Sequence, residues 1–305
     1  MTTSILRAST YMVARGSIET EAEQLVIGAF RRATGRGRTF GRDDLYVRVM
    51  ETYPREAGET LVVMASRRAG GEPLQYLLGY QYFLNHEYEV DASVLIPRPE
   101  TEILVYEVMQ TFKRRIEQPT LGIEIGVGSG CVSIELLKMF PGLRIIGSEL
   151  SEAAMAIAGK NARKILGDGF ESRFEILRTA DRDQVFEPFS HPAVRLLPRN
   201  TRADFIVSNP PYLAANEADA DVSNYEPRDA LFAPAGDPLY FYRRIVDGAE
   251  AFLKPHGSIF FECAHERIEA IAKLFSKDWT VTLFRDLTGR PRVIQAEWRG
   301  VSVLN

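Results

Sequence analysis

The chain has 305 residues, of which 45% are hydrophobic and 26% charged, with a formal net charge of −4. That length gives room for one or two domains with a sizeable core, and the mildly acidic balance argues against a general nucleic-acid binder, so no DNA partner is expected. Two cysteines, Cys131 and Cys263, and four scattered histidines argue against a disulfide framework or a metal centre, and with no signal-like segment and no apolar run near membrane-spanning length the expected location is cytoplasmic, away from any membrane.

In chain order, residues 1–80 read as helical. Ala22, Leu25, Val26, Ala29 and Phe30 recur at the helix period, and Leu45, Val47, Met50, Leu61, Val62 and Ala65 continue apolar patterning between polar breaks. Gly35 to Gly41 reads as a basic, glycine-rich connection between helices. Tyr80 to Val90 alternates with aromatic residues, which suggests a hairpin joining two domains, and Asp91 to Pro99 reads as a loop. The expected division is 1–80, a hairpin linker over 81–98, and a second domain over 99–305.

From Thr101 onward the pattern changes. Leu104, Val108, Phe112 and Ile116 form a helical stripe that ends in Lys113-Arg114-Arg115, which suits the negative end of a helix. Strands are expected at 121–125, 143–148, 173–178, 203–208, 258–263, 279–284 and 292–298. Helices are expected near 130–139, 151–166, 238–253 and 265–276, with Ser151 and Glu152 at a helix start. Such alternation implies a mainly parallel sheet covered on both faces. The last two strands have no helix between them and should pair as an antiparallel edge hairpin. The long connection from Asp181 to Arg202 carries three prolines (188, 192, 198) and Arg195, Arg199 and Arg202. It reads as a mobile flap near a site, a contact for RNA or a partner, or a plain solvated insertion.

Three segments carry chemistry. Leu121 to Ile125 runs into Gly126, Gly128 and Gly130, followed by a helical pattern, and this strand–turn–helix context makes a glycine run meaningful for a nucleotide-like ligand. Glu149 ends the next strand at an offset of 149 − 126 = 23 residues, near the roughly 20 expected for an acid that takes ribose hydroxyls. Asn209-Pro210-Pro211-Tyr212 ends the fourth strand of the alternating region. Two consecutive prolines lack N–H groups and fix φ, so the tetrapeptide is a stiff corner of carbonyls, one amide and one ring. It suits a flat, uncharged –NH2 group opposite a methyl donor. The glycine run alone does not separate NAD, FAD and S-adenosylmethionine, but the corner and the acid together favour S-adenosylmethionine.

Taken together, these residues resemble the HemK/PrmC family, the glutamine N5-methyltransferases of peptide chain release factors. The resemblance rests on Arg67 to Gly79, Val94-Leu-Ile-Pro-Arg-Pro-Glu-Thr-Glu102, Glu124 to Gly130, Ser208 to Leu213, Tyr225-Glu-Pro-Arg228 and Asp286-Leu-Thr-Gly-Arg290. It implies a seven-stranded, Rossmann-like class I S-adenosylmethionine-dependent methyltransferase with a small N-terminal helical domain for substrate recognition. It implies that Glu124 and Gly126 line the cofactor's methionine end, that Gly128 and Gly130 also bind the cofactor, that Glu149 holds the ribose, and that Thr101 closes over the cofactor. Asn209, Pro210, Pro211 and Tyr212 would bind the substrate glutamine of a Gly-Gly-Gln loop, with Asn209 also beside the cofactor. Release factors would be the partners, with or without the ribosome. Thr179-Ala-Asp181-Arg182 stands where relatives carry Gly-Asp-Trp or Gly-Asp-Leu, so Asp181 and Arg182 become the candidates near adenine. Glu262-Cys-Ala-His-Glu266 departs from the usual Glu-Ile-Gly, a change expected to affect packing more than chemistry. Alternatives are a glutamine methyltransferase of a large-subunit ribosomal protein, disfavoured by Pro97-Arg98-Pro99, an adenine-N6 nucleic-acid methyltransferase, and a non-catalytic S-adenosylmethionine-binding module.

Overall fold

The computed structural model describes residues 3–4, 19–35, 40–48, 52–191, 194–197, 201–214, 217 and 224–300. Most of the Gly35–Gly41 connection, Met50, Pro192, Pro198 and Arg199 lie outside the described residues. Two compact units are present, one of residues 1–80 with 220–225 and one of residues 81–219 with 226–305.

The first unit contains β1 (Thr3–Ser4), α1 (Glu19–Thr34), α2 (Arg42–Val47), β2 (Thr52–Tyr53), α3 (Arg55–Ala69) and α4 (Leu74–Leu78). The period-3.6 stripe of α1 is buried along its length: Ala22, Leu25, Val26, Ala29 and Phe30 all face the core. It meets Ala57, Leu61, Met64 and Ala65 of α3. A Cβ at Gly28 would sit 2.5 Å from Leu78 Cδ2, so glycine permits the close approach of α1 to α4. Tyr53 is buried and its hydroxyl donates to the Val26 carbonyl at 2.7 Å. Val47 and Val62 do not join this core. Both are more than half exposed, because a helix turns about 100° per residue and Leu45 and Leu61 already take the inward positions of their helices.

The second unit opens with the hairpin β3 (Tyr80–Phe83) and β4 (His86–Glu89), counted with it from Gln81 onward. Then come α5 (Pro99–Lys113), β5 (Leu121–Ile125), α6 (Cys131–Met139), β6 (Arg144–Glu149), α7 (Glu152–Leu166), β7 (Phe174–Arg178), β8 (Ala203–Ser208), α8 (Arg228–Leu231), α9 (Tyr240–Ala249), β9 (Leu253–Glu262), α10 (Ile268–Ala272), β10 (Trp279–Arg285) and β11 (Pro291–Trp298). Seven strands form one sheet in the order β10-β11-β9-β8-β5-β6-β7. β5 to β9 pair in parallel, while β11 runs antiparallel between β9 and β10. The terminal hairpin therefore exists, but its second strand enters the sheet and β10 forms the edge. One buried apolar cluster covers each face, with Ile123 and Ile206 on one side and Phe205 and Val207 on the other. That distribution is the period-2 alternation of strands buried on both faces. Among the described residues no helix is long and apolar enough to cross a membrane.

Several expected boundaries shift. α5 ends at Lys113, where the Arg115 N–H turns back to the Phe112 carbonyl, so Ile116 lies beyond the helix and is fully exposed. The helix expected over 238–253 stops at Ala249, and β9 starts at Leu253 rather than 258. Pro255 cannot extend a helix; instead the chain passes through His256 in a left-handed conformation (φ 64°) and resumes pairing after a register break between Ala203 and Phe205. α10 spans only Ile268–Ala272 of the expected 265–276.

The described part of the 181–202 connection is neither a free flap nor a solvated loop. Val185, Phe189, Val194 and Leu196 are buried in the core, because this segment supplies the apolar cover that a helix would give at this edge of the sheet. Phe186 stacks on Phe252 with centroids 4.7 Å apart, and the Arg195 backbone and side chain both donate to Glu175. Gly248 of α9 is the landing point, since a Cβ there would lie 2.4 Å from Phe186. Gly248→Ala should therefore destabilise the protein. The helix-propensity gain of about 1 kcal/mol is outweighed by overpacking of roughly 1–3 kcal/mol. Urea unfolding should show an earlier midpoint and trypsin should nick 181–202 faster; equal midpoints and equal nicking would refute this packing role.

Candidate active site

The chain runs outward from β5 through β6 to β7, then returns to add β8 on the other flank of β5. The carboxyl ends of β5, β6 and β8 therefore diverge around one crevice, where ligands bind in open α/β sheets. A cavity of about 740 Å³ occupies that position. Its lining includes Thr101, Glu124, Gly126, Gly128, Glu149, Asp181, Arg182, Asn209, Pro210 and Pro211. Gly130 and Tyr212 lie outside the lining.

The glycine turn explains the difference at Gly130. Gly126, Gly128 and Gly130 all have positive φ, at 78°, 55° and 82°, a region that residues with a Cβ rarely adopt. The Gly126 and Val127 N–H groups both donate to the Ser148 carbonyl, at 2.9 and 3.2 Å, which ties the turn to the end of β6. A Cβ at Gly126 or Gly128 would meet nothing within 4 Å, so both open onto cavity space that a side chain would fill. A Cβ at Gly130 would instead meet Ile134 and Ala158 at 3.1 and 3.2 Å. Gly130 serves the packing of α6 against α7.

Two acids flank the turn. Glu149 accepts from the backbone N–H of Gly128 at 2.8 Å through one oxygen and from Leu150 and Ser151 at 2.8 and 2.9 Å through the other. It thus shapes the turn as well as lining the cavity. Glu124 is buried and accepts from the Ser133 hydroxyl on the first turn of α6. Burial pushes its carboxyl up to about 8, against the opposing pull of Ser133. Ser133 was not among the candidates, although a hydroxyl one turn into the helix facing a buried strand acid is a pattern that could suggest it. Asp181 is largely occupied by its own turn, accepting from the Asp183 N–H at 2.8 Å and from Gln184 at 3.3 Å. Arg182 donates to Asp229 at 3.2 Å.

The Asn209 corner leaves β8 at the opposite wall. Leu213 fastens its exit: its N–H donates to the Leu231 carbonyl, and its own carbonyl accepts from Ala233, both at 3.0 Å. Tyr212 packs against the core face that holds Tyr242 and Phe261, and burial raises its phenol above the ordinary range. Its ring therefore braces the corner from behind. Asn209 Nδ2 donates to Thr101 Oγ1 at 3.3 Å, and the Thr101 hydroxyl donates to Glu262 Oε2 at 2.6 Å. Glu262 is buried beside these groups; it matches the glutamate of the usual Glu-Ile-Gly, and the departure starts after it at Cys263, which is buried in the core.

Thr101 owes its place to the turn before it. Arg98 caps α5, Pro99 starts it, and Arg98 is ion-paired with the buried Glu226, which also accepts from the Ile96 N–H at 3.1 Å. The Val94–Glu102 and Tyr225–Arg228 motifs thus clasp each other across 128 residues of sequence. Asp286 plays a local role, accepting from Thr288, from the Arg290 N–H and from Arg292 to set the turn between β10 and β11.

No family model matches the chain. It is 36% identical over 236 residues to a protein named release factor glutamine methyltransferase from Geobacter sulfurreducens, covering 76% of this chain and 75% of that one. A protein of the same name from Enterococcus faecalis is 32% identical over 255 residues, covering 82% and 84%. A third, from Bacteroides thetaiotaomicron, is 34% identical over 232 residues, covering 74% and 76%. The solved structure of a protein-(glutamine-N5) methyltransferase (release factor-specific) from Alicyclobacillus acidocaldarius is 26% identical, covers 69% of this chain and 99% of that one, and has a TM-score of 0.39, too low to add weight.

The state of Glu124 is testable through stability. Its raised value means that the folded protein holds the proton more tightly than the unfolded chain, where the carboxyl titrates near 4.5. Its contribution is complete below that value and is lost as pH rises through about 8. Glu124→Gln cannot ionise, so its stability relative to the wild type should improve steadily between about pH 5 and pH 9. Urea midpoints across that range measure the difference, and a constant offset would contradict the assignment.

Proposed function

The chain belongs to the family of release factor glutamine methyltransferases, and from that membership we propose how its own residues carry out the transfer. The enzyme moves a methyl group from S-adenosylmethionine to the side-chain amide nitrogen of a release-factor glutamine, the one in the Gly-Gly-Gln motif. The observation that carries the residue assignment is the convergence of Gly126, Gly128, Glu149 and Asn209 on one cavity.

The cavity suits the cofactor. Two glycines leave room for close approach to the backbone, and the carboxyl groups of Glu124 and Glu149 line the cavity, where a cationic ligand would favour the ionised form of Glu124. S-adenosylmethionine contributes an electrophilic methyl group on its sulfonium. In this reading Glu149 accepts from a ribose hydroxyl at the one acceptor site its three backbone contacts leave open, Glu124 and Gly126 line the methionine end, and Asp181 and Arg182 lie toward adenine.

The protein's task at the other wall is orientation. An amide nitrogen is a weak nucleophile because its lone pair is delocalised into the carbonyl. The Asn209 side-chain oxygen and the Pro210 carbonyl each accept one of its N–H bonds, which turns the nitrogen face toward the methyl group. Alignment of this kind can supply up to about 7–11 kcal/mol of barrier reduction in favourable systems, and the fixed dipoles also stabilise the developing charge. No general base has to act first, since an alkylated amide cation is strongly acidic and loses its proton afterwards. Tyr212 acts by bracing the corner, and the N-terminal helical unit is assigned to recognition of the protein substrate.

Asn209→Ala should abolish methyl transfer while leaving the fold and most cofactor affinity in place. The assay is incubation with labelled donor and purified release factor, with mass spectrometry to place one methyl group on the glutamine. Near-normal turnover would remove Asn209 from the mechanism, and a methyl group found on lysine or DNA would overturn the function. Glu149→Ala should raise the cofactor Kd about tenfold to a hundredfold, from the loss of charge-assisted bonds of roughly 1.5–3 kcal/mol. Calorimetry on a variant checked for an unchanged unfolding midpoint decides it, and an unaltered Kd would leave Glu149 a purely structural acid.

A further inference from the structure

Glu262 has no place in the mechanism above, yet it is a fully buried acid two hydrogen bonds from the amide that binds substrate. We propose that Glu262 and Thr101 form a polarised hydrogen-bond relay that locks the Asn209 side chain with its oxygen facing the cavity. Both are positioning residues, and the proposal rests on the assignment of Asn209 to the substrate amide.

The chemistry of the three groups sets the polarity. A carboxylate can only accept hydrogen bonds. The Thr101 hydroxyl, 2.6 Å from Glu262 Oε2, therefore gives its single hydrogen to Glu262. Its oxygen is then left as an acceptor toward Asn209, and only the NH2 half of that amide can donate to it. The carbonyl half is turned away and becomes the acceptor for the substrate –NH2. Without the relay, the Asn209 amide could rotate by a half turn and present NH2 to NH2, which repels the substrate in the required pose. Thr101 lines the cavity and Glu262 stands behind it.

The surroundings hold Glu262 in this role. Its backbone carbonyl accepts from the Tyr242 hydroxyl of α9 at 2.8 Å, which anchors the end of β9. Arg98 and Glu100 approach from the start of α5, Cys131 from the start of α6, Arg292 from β11, Tyr212 from the corner, and Cys263 adjoins it. The two arginines have closer carboxylates, Glu226 for Arg98 and Asp286 for Arg292. Thr101 is thus the group to which the Glu262 side chain is hydrogen-bonded. Burial raises its carboxyl to about 7, with Thr101 pulling the other way, then Glu100 raising it and the arginines lowering it. Protonation would let Glu262 donate, reverse the Thr101 hydroxyl and release the preference at Asn209. Turnover should therefore fall as pH drops through about 7.

The test compares wild type, Glu262→Gln, Thr101→Val and Thr101→Ser at saturating cofactor and release factor. Loss of a group that orients a working residue commonly costs about 10- to 100-fold, so kcat of Glu262→Gln and of Thr101→Val should fall by that much near pH 8. The double variant should be no worse than either single one. Thr101→Ser should recover at least about tenfold over Thr101→Val, because the hydroxyl is restored. The inflection near pH 7 should vanish in Glu262→Gln, whose side chain does not titrate, and the cofactor Kd of that variant should stay within about threefold of wild type. Unchanged kcat and an unchanged pH profile in Glu262→Gln would overturn the relay. If that variant does not fold, Thr101→Val carries the test alone, and wild-type kcat for it would overturn the relay equally. Asn209→Ala separates the levels: if it is inactive while the relay variants behave as wild type, only the relay fails, whereas if it turns over normally the amide-binding corner itself is wrong.

Discussion

Parallel pairing of β5 with β6 on one side and β8 on the other governs everything at the rim of this sheet. It forces the glycine turn, Glu149 and the Asn209 corner to emerge side by side, although residues 126 and 209 are far apart in sequence. The pairing depends on small residues at contact points. A Cβ at Gly122 of β5 would lie 2.3 Å from the Phe205 ring of β8, and one at Gly147 of β6 would lie 2.2 Å from Val127 in the glycine turn. Such contacts inside a close-packed interior leave no slack, so register and site geometry are set together.

The site is built around buried acids, satisfied either by a cation or by a hydroxyl. Glu226 is paired with Arg98 and serves to hold the start of α5. Glu124 and Glu262 have hydroxyl partners rather than cations, Ser133 and Thr101 respectively. Burying an acid without a counter-charge raises its proton affinity, which is why both carry raised values near neutrality. For Glu124 this favours a cationic ligand, since binding one restores the missing charge. For Glu262 the hydroxyl converts a charge state into a direction, and a direction is what an amide with two similar ends lacks.

Much of the fold was legible from the sequence alone. The seven strands fell within a few residues of their expected places except at Pro255, and the α1 stripe was buried as its period implied. The failures are informative. Val47 and Val62 are apolar but point outward, because composition does not say which face of a helix has a partner. The 181–202 segment reads as a connection rich in proline and arginine, yet Val185, Phe189, Val194 and Leu196 reach the core, a pattern with no regular period to reveal it. Gly130 and Tyr212 belonged to the right motifs but face packing partners rather than the cavity, and a motif does not state which of its side chains turns inward.

The sequence by itself determined the alternation of strands and helices, the stiff corner at Asn209, the glycine turn and the acid that follows it. These are local matters: φ restricted by proline, φ freed by glycine, and apolar residues recurring at periods of 2 or 3.6. The tertiary structure alone decided that Glu262, Thr101 and Asn209 form one chain of hydrogen bonds and that Glu226 clamps Arg98. Glu262, Thr101 and Asn209 lie more than fifty positions from one another, and Glu226 lies 128 from Arg98. Only the pairing order of the sheet brings their side chains within reach, and a hydrogen bond is short enough that nothing less than that placement creates it.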